Sequence, residues 1–191
     1  MASTAAPFGA ISVGTLAGGM TEPAVTPIKI ASGYATSIFE GDFVKLAASG
    51  TVQKDTGTTT LTPIGIFKGC QYTDPSTSQL VQSAYWPAST VASDAVAFVV
   101  IDPNATFIMQ ADDALVQADL GNNAAIIQTA GSTANGRSKN ALDASSAATT
   151  STLPIRILAF ANDSQSDSYP EVICMFNSGD HQLDQPTGTG T

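Results

Sequence analysis

The sequence predicts a mainly β protein: a compact β-barrel or β-sandwich with one or two short helices and an extended N-terminal arm. Three observations lead there. Short runs rich in Val, Ile and Phe recur along the chain, Asp94–Ile101 and Val172–Phe176 among them. Clusters of Gly, Pro, Asn, Asp and Ser punctuate them. Helical periodicity is scarce. β-branched and aromatic side chains fit a pleated, half-buried surface, and the punctuating residues supply turn conformations.

Residues 1–27 hold Pro7, Pro23, Pro27, Gly9, Gly14, Gly18 and Gly19 and follow no period of 2 or 3.6. They read as an extended arm. Phe8, Ile11, Val13 and Leu16 give the arm spaced apolar side chains, so it is expected to dock on a neighbouring subunit or a partner, with a disordered leader as the alternative.

Residues 28–180 read as one β-rich domain. Ile28–Ala31 is a short strand. Asp42–Leu46 follows, with Phe43, Val44 and Leu46 apolar, and Ser49-Gly50 turns the chain into Thr51–Lys54. Asp55-Thr56-Gly57 reads as a second, exposed turn. Leu61–Cys70 and Gln79–Tyr85 are further strands. Asp94–Ile101 is a central strand closed by Asp102-Pro103-Asn104, with Thr106–Gln110 at hairpin spacing behind it. Asp112–Leu120 is expected as about two helical turns capped by Asp112 or Asp113 and ended by Gly121, and Ala141–Ala148 as another turn. Residues 131–152, rich in Ser, Thr, Ala, Gly and Asn, read as a long surface excursion. Ile155–Phe160 and Val172–Phe176 complete the strands, and residues 181–191 form a polar tail.

Charge narrows the function. The chain has 191 residues, with 7 Lys+Arg against 16 Asp+Glu, a net charge of −9. Phosphate neutralisation requires clustered bases, so no nucleic acid is expected as a partner, and an anionic membrane surface is disfavoured likewise. The longest apolar run, Ala95–Ile101, is far short of a membrane span. The N-terminus lacks the basic and apolar regions of a secretory signal.

Catalytic constellations are sparse. Asp55-Thr56-Gly57 matches the tripeptide of aspartic proteases, but polar neighbours flank it where apolar strands belong. Ser178, Asp180 and His181 lie close in sequence, whereas a triad is assembled from separate loops, and His181 reads as solvated. One His and two distant cysteines make no zinc site. Asp112-Asp113 and Asn162, Asp163, Ser164 and Asp167 offer oxygen ligands without a calcium-loop pattern, so capping and turns account for them. Asn104-Ala105-Thr106 and Asn162-Asp163-Ser164 match the glycosylation sequon. Cys70 and Cys174 read as small buried hydrophobes, with a bridge open if their strands meet. No enzyme activity, metal or cofactor is expected.

Several segments in order carry a resemblance: Ala6–Gly9, Ile30–Thr36, Ile38–Leu46, Pro63–Cys70, Tyr72–Pro75, Tyr85–Ala88, Phe107–Asp112, Asp119–Ala124 and Leu153–Leu158. Together they resemble a family of bacteriophage virion proteins found beside the major capsid protein, the head decoration or cement proteins of tailed phages. The likeness covers most of residues 6–180, and its motifs are structural. It implies a place on the outer surface of the capsid, with the major capsid protein and further copies of the chain, as a homodimer or homotrimer, for partners. Tyr34, Phe39, Tyr85 and Trp86, aromatics beside Gly and Pro at strand ends, are then candidate interface anchors, with simple core packing the other reading of each. A receptor- or glycan-binding β module on a fibre or tail is the alternative, with Tyr85 and Trp86 as a stacking face for sugar.

Overall fold

The computed structural model describes residues 3–16 and 23–183; expectations for residues 1–2, 17–22 and 184–191 lie outside the described residues. The chain is mainly β. In order its strands are β1 (Ile11–Thr15), β2 (Val25–Lys29), β3 (Ile38–Phe39), β4 (Phe43–Leu46), β5 (Val52–Lys54), β6 (Gly65–Thr73) and β7 (Leu80–Ser83). There follow β8 (Tyr85–Trp86), β9 (Val96–Val100), β10 (Ala105–Gln110), β11 (Asn123–Ala124), β12 (Ile126–Ile127), β13 (Ala141–Leu142), β14 (Ile155–Phe160) and β15 (Glu171–Phe176).

Two sheets dominate, and every strand pair in them is antiparallel. The first runs β1-β10-β15-β14-β11. The second runs β2-β9-β6-β4-β5, with β7 added to the far half of β6. Among the described residues no sheet closes into a barrel, which corrects that half of the expectation. The second sheet curls until Ile30, just past β2, meets Val52 of β5, but this is one isolated bridge and not a ladder. Pro27 lies in β2, an edge strand, where its missing N–H breaks no central pairing.

The second sheet walls two cores, because successive side chains on a strand face opposite ways. Phe43, Ile66 and Val100 join Phe107, Met109, Ile157, Cys174 and Phe176 of the first sheet. Phe43 meets Phe107 and Phe176 edge-on, at 5.6 and 5.8 Å between ring centres. Their neighbours Val44, Phe67 and Val99 face the other core, with Ile30, Ile38, Val52 and Trp86.

Five expectations change. Within residues 1–27, expected as a docking arm, β1 is the edge of the first sheet, and β2, which starts at Val25, is the edge of the second. Asp94–Ile101 and Thr106–Gln110 correspond to β9 and β10, yet they do not form a hairpin. The turn at Asp102–Asn104 instead carries the chain from one sheet to the other. Asp112–Leu120 forms only one 3₁₀ turn, Gln117–Asp119. Asp112 Oδ1 accepts from the Ala144 N–H at 2.8 Å instead of capping a helix. Ala141–Ala148 likewise splits into β13 and a 3₁₀ turn, Ala144–Ser146. Residues 131–152 are not all surface: Ser138, Asn140, Ala141 and Leu142 are buried. Their polar members are drawn inward by a buried carboxylate.

Candidate functional site

That carboxylate is Asp42. It stands just before β4, where Gly41 lets the chain turn at φ +90°. Three segments are laced together around it. Gly9 N–H donates to Asn140 O (3.1 Å), Ala10 N–H to Gly41 O (2.9 Å) and Ser138 N–H to Glu40 O (2.9 Å). The approach is close enough that a Cβ on Gly9 would fall 2.5 Å from Ser138 Cβ.

Asp42 is 0% exposed and both its oxygens are engaged twice. Oδ1 accepts from Ser138 Oγ at 2.6 Å and from Asn140 Nδ2 at 3.2 Å. Oδ2 accepts from the Phe39 N–H at 2.9 Å and lies 2.9 Å from Lys54 Nζ. The Lys54 side chain is itself largely buried, and the Lys54 N–H donates to the Tyr34 hydroxyl. A buried carboxylate is tolerated only when a counter-charge and donors fill its lone pairs, and here all four sites are filled. Asn140 is fully buried too, and its Oδ1 accepts from the Thr129 N–H at 3.1 Å.

A second buried acid corrects the reading of Asp55-Thr56-Gly57 as an exposed turn. Asp55 is 1% exposed. It accepts from the Gly57 and Thr62 N–H groups at 3.0 and 2.9 Å and pairs with Lys45 Nζ at 3.3 Å. Its partners are a lysine and backbone amides, not the second carboxylate that a protease dyad shares a proton with. Gln128 Nε2 clamps the same loop through Asp55 O and Gly57 O.

His181 is also corrected. It is buried against Phe176, at 5.1 Å between ring centres, and its Nδ1 accepts from the Leu183 N–H at 3.2 Å. That Nδ1 therefore takes a backbone hydrogen bond, and burial holds the Asp180 carboxyl above its ordinary range while a hydrogen bond with Asn177 partly opposes the shift. Among the described residues no three His, Cys, Asp or Glu gather as metal ligands. Cys70 and Cys174 are buried free thiols that face different cores, so no bridge joins them. Burial pushes the Cys70 thiol up to about 12 and raises Cys174 as well.

The eight interface candidates scatter. Phe8, Ile11 and Val13 are half-buried on this chain's own framework, and only Leu16, 57% exposed, projects from the end of β1. Val25, 46% exposed, begins β2 at the same turn region: it pairs with Val100, while the Leu16 N–H donates to Asn104 O. Trp86 is 0% exposed, edge-on to Tyr72, with its Nε1–H on Tyr34 O at 3.3 Å. Phe39 is buried and stacks on the half-buried Tyr85 at 5.5 Å. Trp86 and Phe39 are thus corrected from surface anchors to core residues, and Tyr34 packs at the edge of the same core.

The cluster of Asp42, Lys54, Ser138 and Asn140 was missed by the sequence reading. Its one sequence signal is an acid placed directly before the apolar pair Phe43-Val44, where a charge demands a partner. Comparison with protein-family models, with curated proteins and with solved structures finds no match for this chain.

Proposed function

We propose that this chain is a virion structural protein that binds the outer surface of the major capsid shell and stabilises the head, as decoration or cement proteins do. Its fold is read as a β-sandwich, the first sheet lying over one face of the second. The resemblance named above motivates the proposal, and the observation that supports it is Leu16. Of the four docking candidates, this side chain alone remains mostly exposed, at the turn where the chain changes sheets, and Val25, also exposed, pairs with Val100 just before that turn. Apolar side chains left in water at a strand end suit burial against a partner. Repetition over a symmetric shell would turn a modest contact into strong retention. Homodimers or homotrimers on the capsid symmetry axes belong to the same proposal.

The glycan-binding alternative loses its main residue, because a fully buried Trp86 presents no face for sugar. Mixing the recombinant chain with undecorated capsids tests the proposal. Binding at a fixed number of copies per capsomer supports it. Absence from purified heads together with presence on tails overturns it.

A further inference from the structure

We propose that the buried cluster around Asp42 forms an intramolecular isopeptide bond between Lys54 Nζ and Asn140 Cγ, with Asp42 as the catalytic proton carrier. The carboxylate spans both reactants: Oδ2 lies 2.9 Å from the Lys54 amine, and Oδ1 accepts from the Asn140 amide nitrogen at 3.2 Å. Ser138 Oγ and the Phe39 N–H fix its orientation. The electrophile is prepared as well. The Thr129 N–H, 3.1 Å from Asn140 Oδ1, polarises the carbonyl and would stabilise an oxyanion forming there. Asp42 and Asn140 are both fully buried, so bulk water is kept from competing with the amine.

The step balances without an outside reagent. The Lys54 ammonium gives a proton to Asp42, and the freed amine attacks Asn140 Cγ. The carbonyl π pair moves onto Oδ1. Asp42 passes its proton to Nδ2 and takes one from the attacking nitrogen. The Cγ–Nδ2 bond then breaks, the carbonyl re-forms and ammonia departs. The last proton leaves with it as ammonium, and Asp42 returns to the carboxylate. Nothing is oxidised or reduced.

The molecule holds an internal comparison. Lys45 and Asp55 are also paired, but Lys45 is one-third exposed and the other partners of the Asp55 carboxylate are the backbone N–H groups of Gly57 and Thr62. A lysine–aspartate pair is therefore present twice, but only in the deeper one does the carboxylate also hold a side-chain amide. The bond would tie the end of β5 to the segment leading into β13, closing the chain covalently from residue 54 to residue 140.

Mass spectrometry of the purified full chain under denaturing conditions tests this. The expected result is a mass lighter than the sequence by one ammonia. A tryptic digest should give peptide 46–68, uncut at Lys54, joined to peptide 140–156. The full sequence mass, with peptide 46–54 released free, overturns the proposal. A link from Lys54 to Asp42 with loss of water overturns it too, since the electrophile would then be the acid. Lys54→Arg and Asn140→Ala should each restore the full sequence mass. If a variant does not fold, the peptide map of the unaltered chain still decides.

Discussion

Gly65 lies so close to Val100 that a Cβ added to it would fall 1.9 Å from the Val100 carbonyl oxygen. The obstacle is backbone in a central strand, not a side chain that can swing away. Gly65→Ala is therefore expected to cost more than the roughly 1–3 kcal/mol of ordinary overpacking and to leave the chain insoluble or unfolded. Gly50→Ala is the comparison. Its surroundings are open, and only its positive φ of +74° opposes a side chain, a cost of about 1–2 kcal/mol. Soluble yield and denaturant midpoints of the two variants check the order.

Asp42 and Lys54 give a second test. Asp42→Ala strips a buried lysine of its counter-charge and leaves Ser138 and Asn140 without their acceptor. Breaking such a pair from one side costs about 3–5 kcal/mol. Both variants also lose the bond proposed above, and Lys54→Met is expected to cost less, because Asp42 keeps three donors. Urea titration of both variants reads the difference.

The thiols predict alkaline behaviour. Cys70 is shifted from 9.0 to about 12 by burial. Between those values the unfolded thiol releases its proton and the folded one keeps it, so the folded state binds more protons. Stability then falls as pH rises above 9.0, and the loss levels off once pH passes the folded value. Cys70→Ala should flatten that slope in denaturant titrations across the window. At neutral pH both thiols should resist iodoacetamide in the native protein and react once it is unfolded.

Trp86, the chain's one tryptophan, should report on the second core. Full burial predicts blue-shifted emission and little quenching by acrylamide, with a red shift on unfolding. Strong quenching in the native state would contradict the packing described for it.

The capsid proposal makes a surface prediction. Leu16→Asp should weaken capsid binding and leave the melting temperature nearly unchanged, as exposed substitutions do. Deletion of residues 1–27 is a poorer probe than the sequence suggested. It removes β1 and three of the five residues of β2, so it should destabilise the fold as well.

Local pattern carried most strands. Ile155–Phe160 was readable to the residue, and the region around Val172–Phe176 nearly so, because side chains there alternate inward and outward. The pairing of β9 and β10 was not readable, since two strands at hairpin spacing look alike whether or not they share a sheet. Burial of polar residues was the larger gap. Asp55, Ser138, Asn140 and His181 sit in polar surroundings in the sequence, and what takes each inward is mostly distant: Lys45 and the clamp of Gln128, Asp42, or the ring of Phe176. Composition read those stretches as solvated because polarity in a sequence does not reveal whether a partner waits across the fold.

The alternation of Ile66 and Phe67 between two cores has a thermodynamic consequence. β6 and its neighbours are a party wall, so neither core can be exposed without dismantling a surface the other needs. The two apolar clusters are thereby coupled into one cooperative unit. Heat or denaturant should meet a single all-or-none transition, with the near-ultraviolet signal of the first core's phenylalanines and the emission of Trp86 lost at one midpoint.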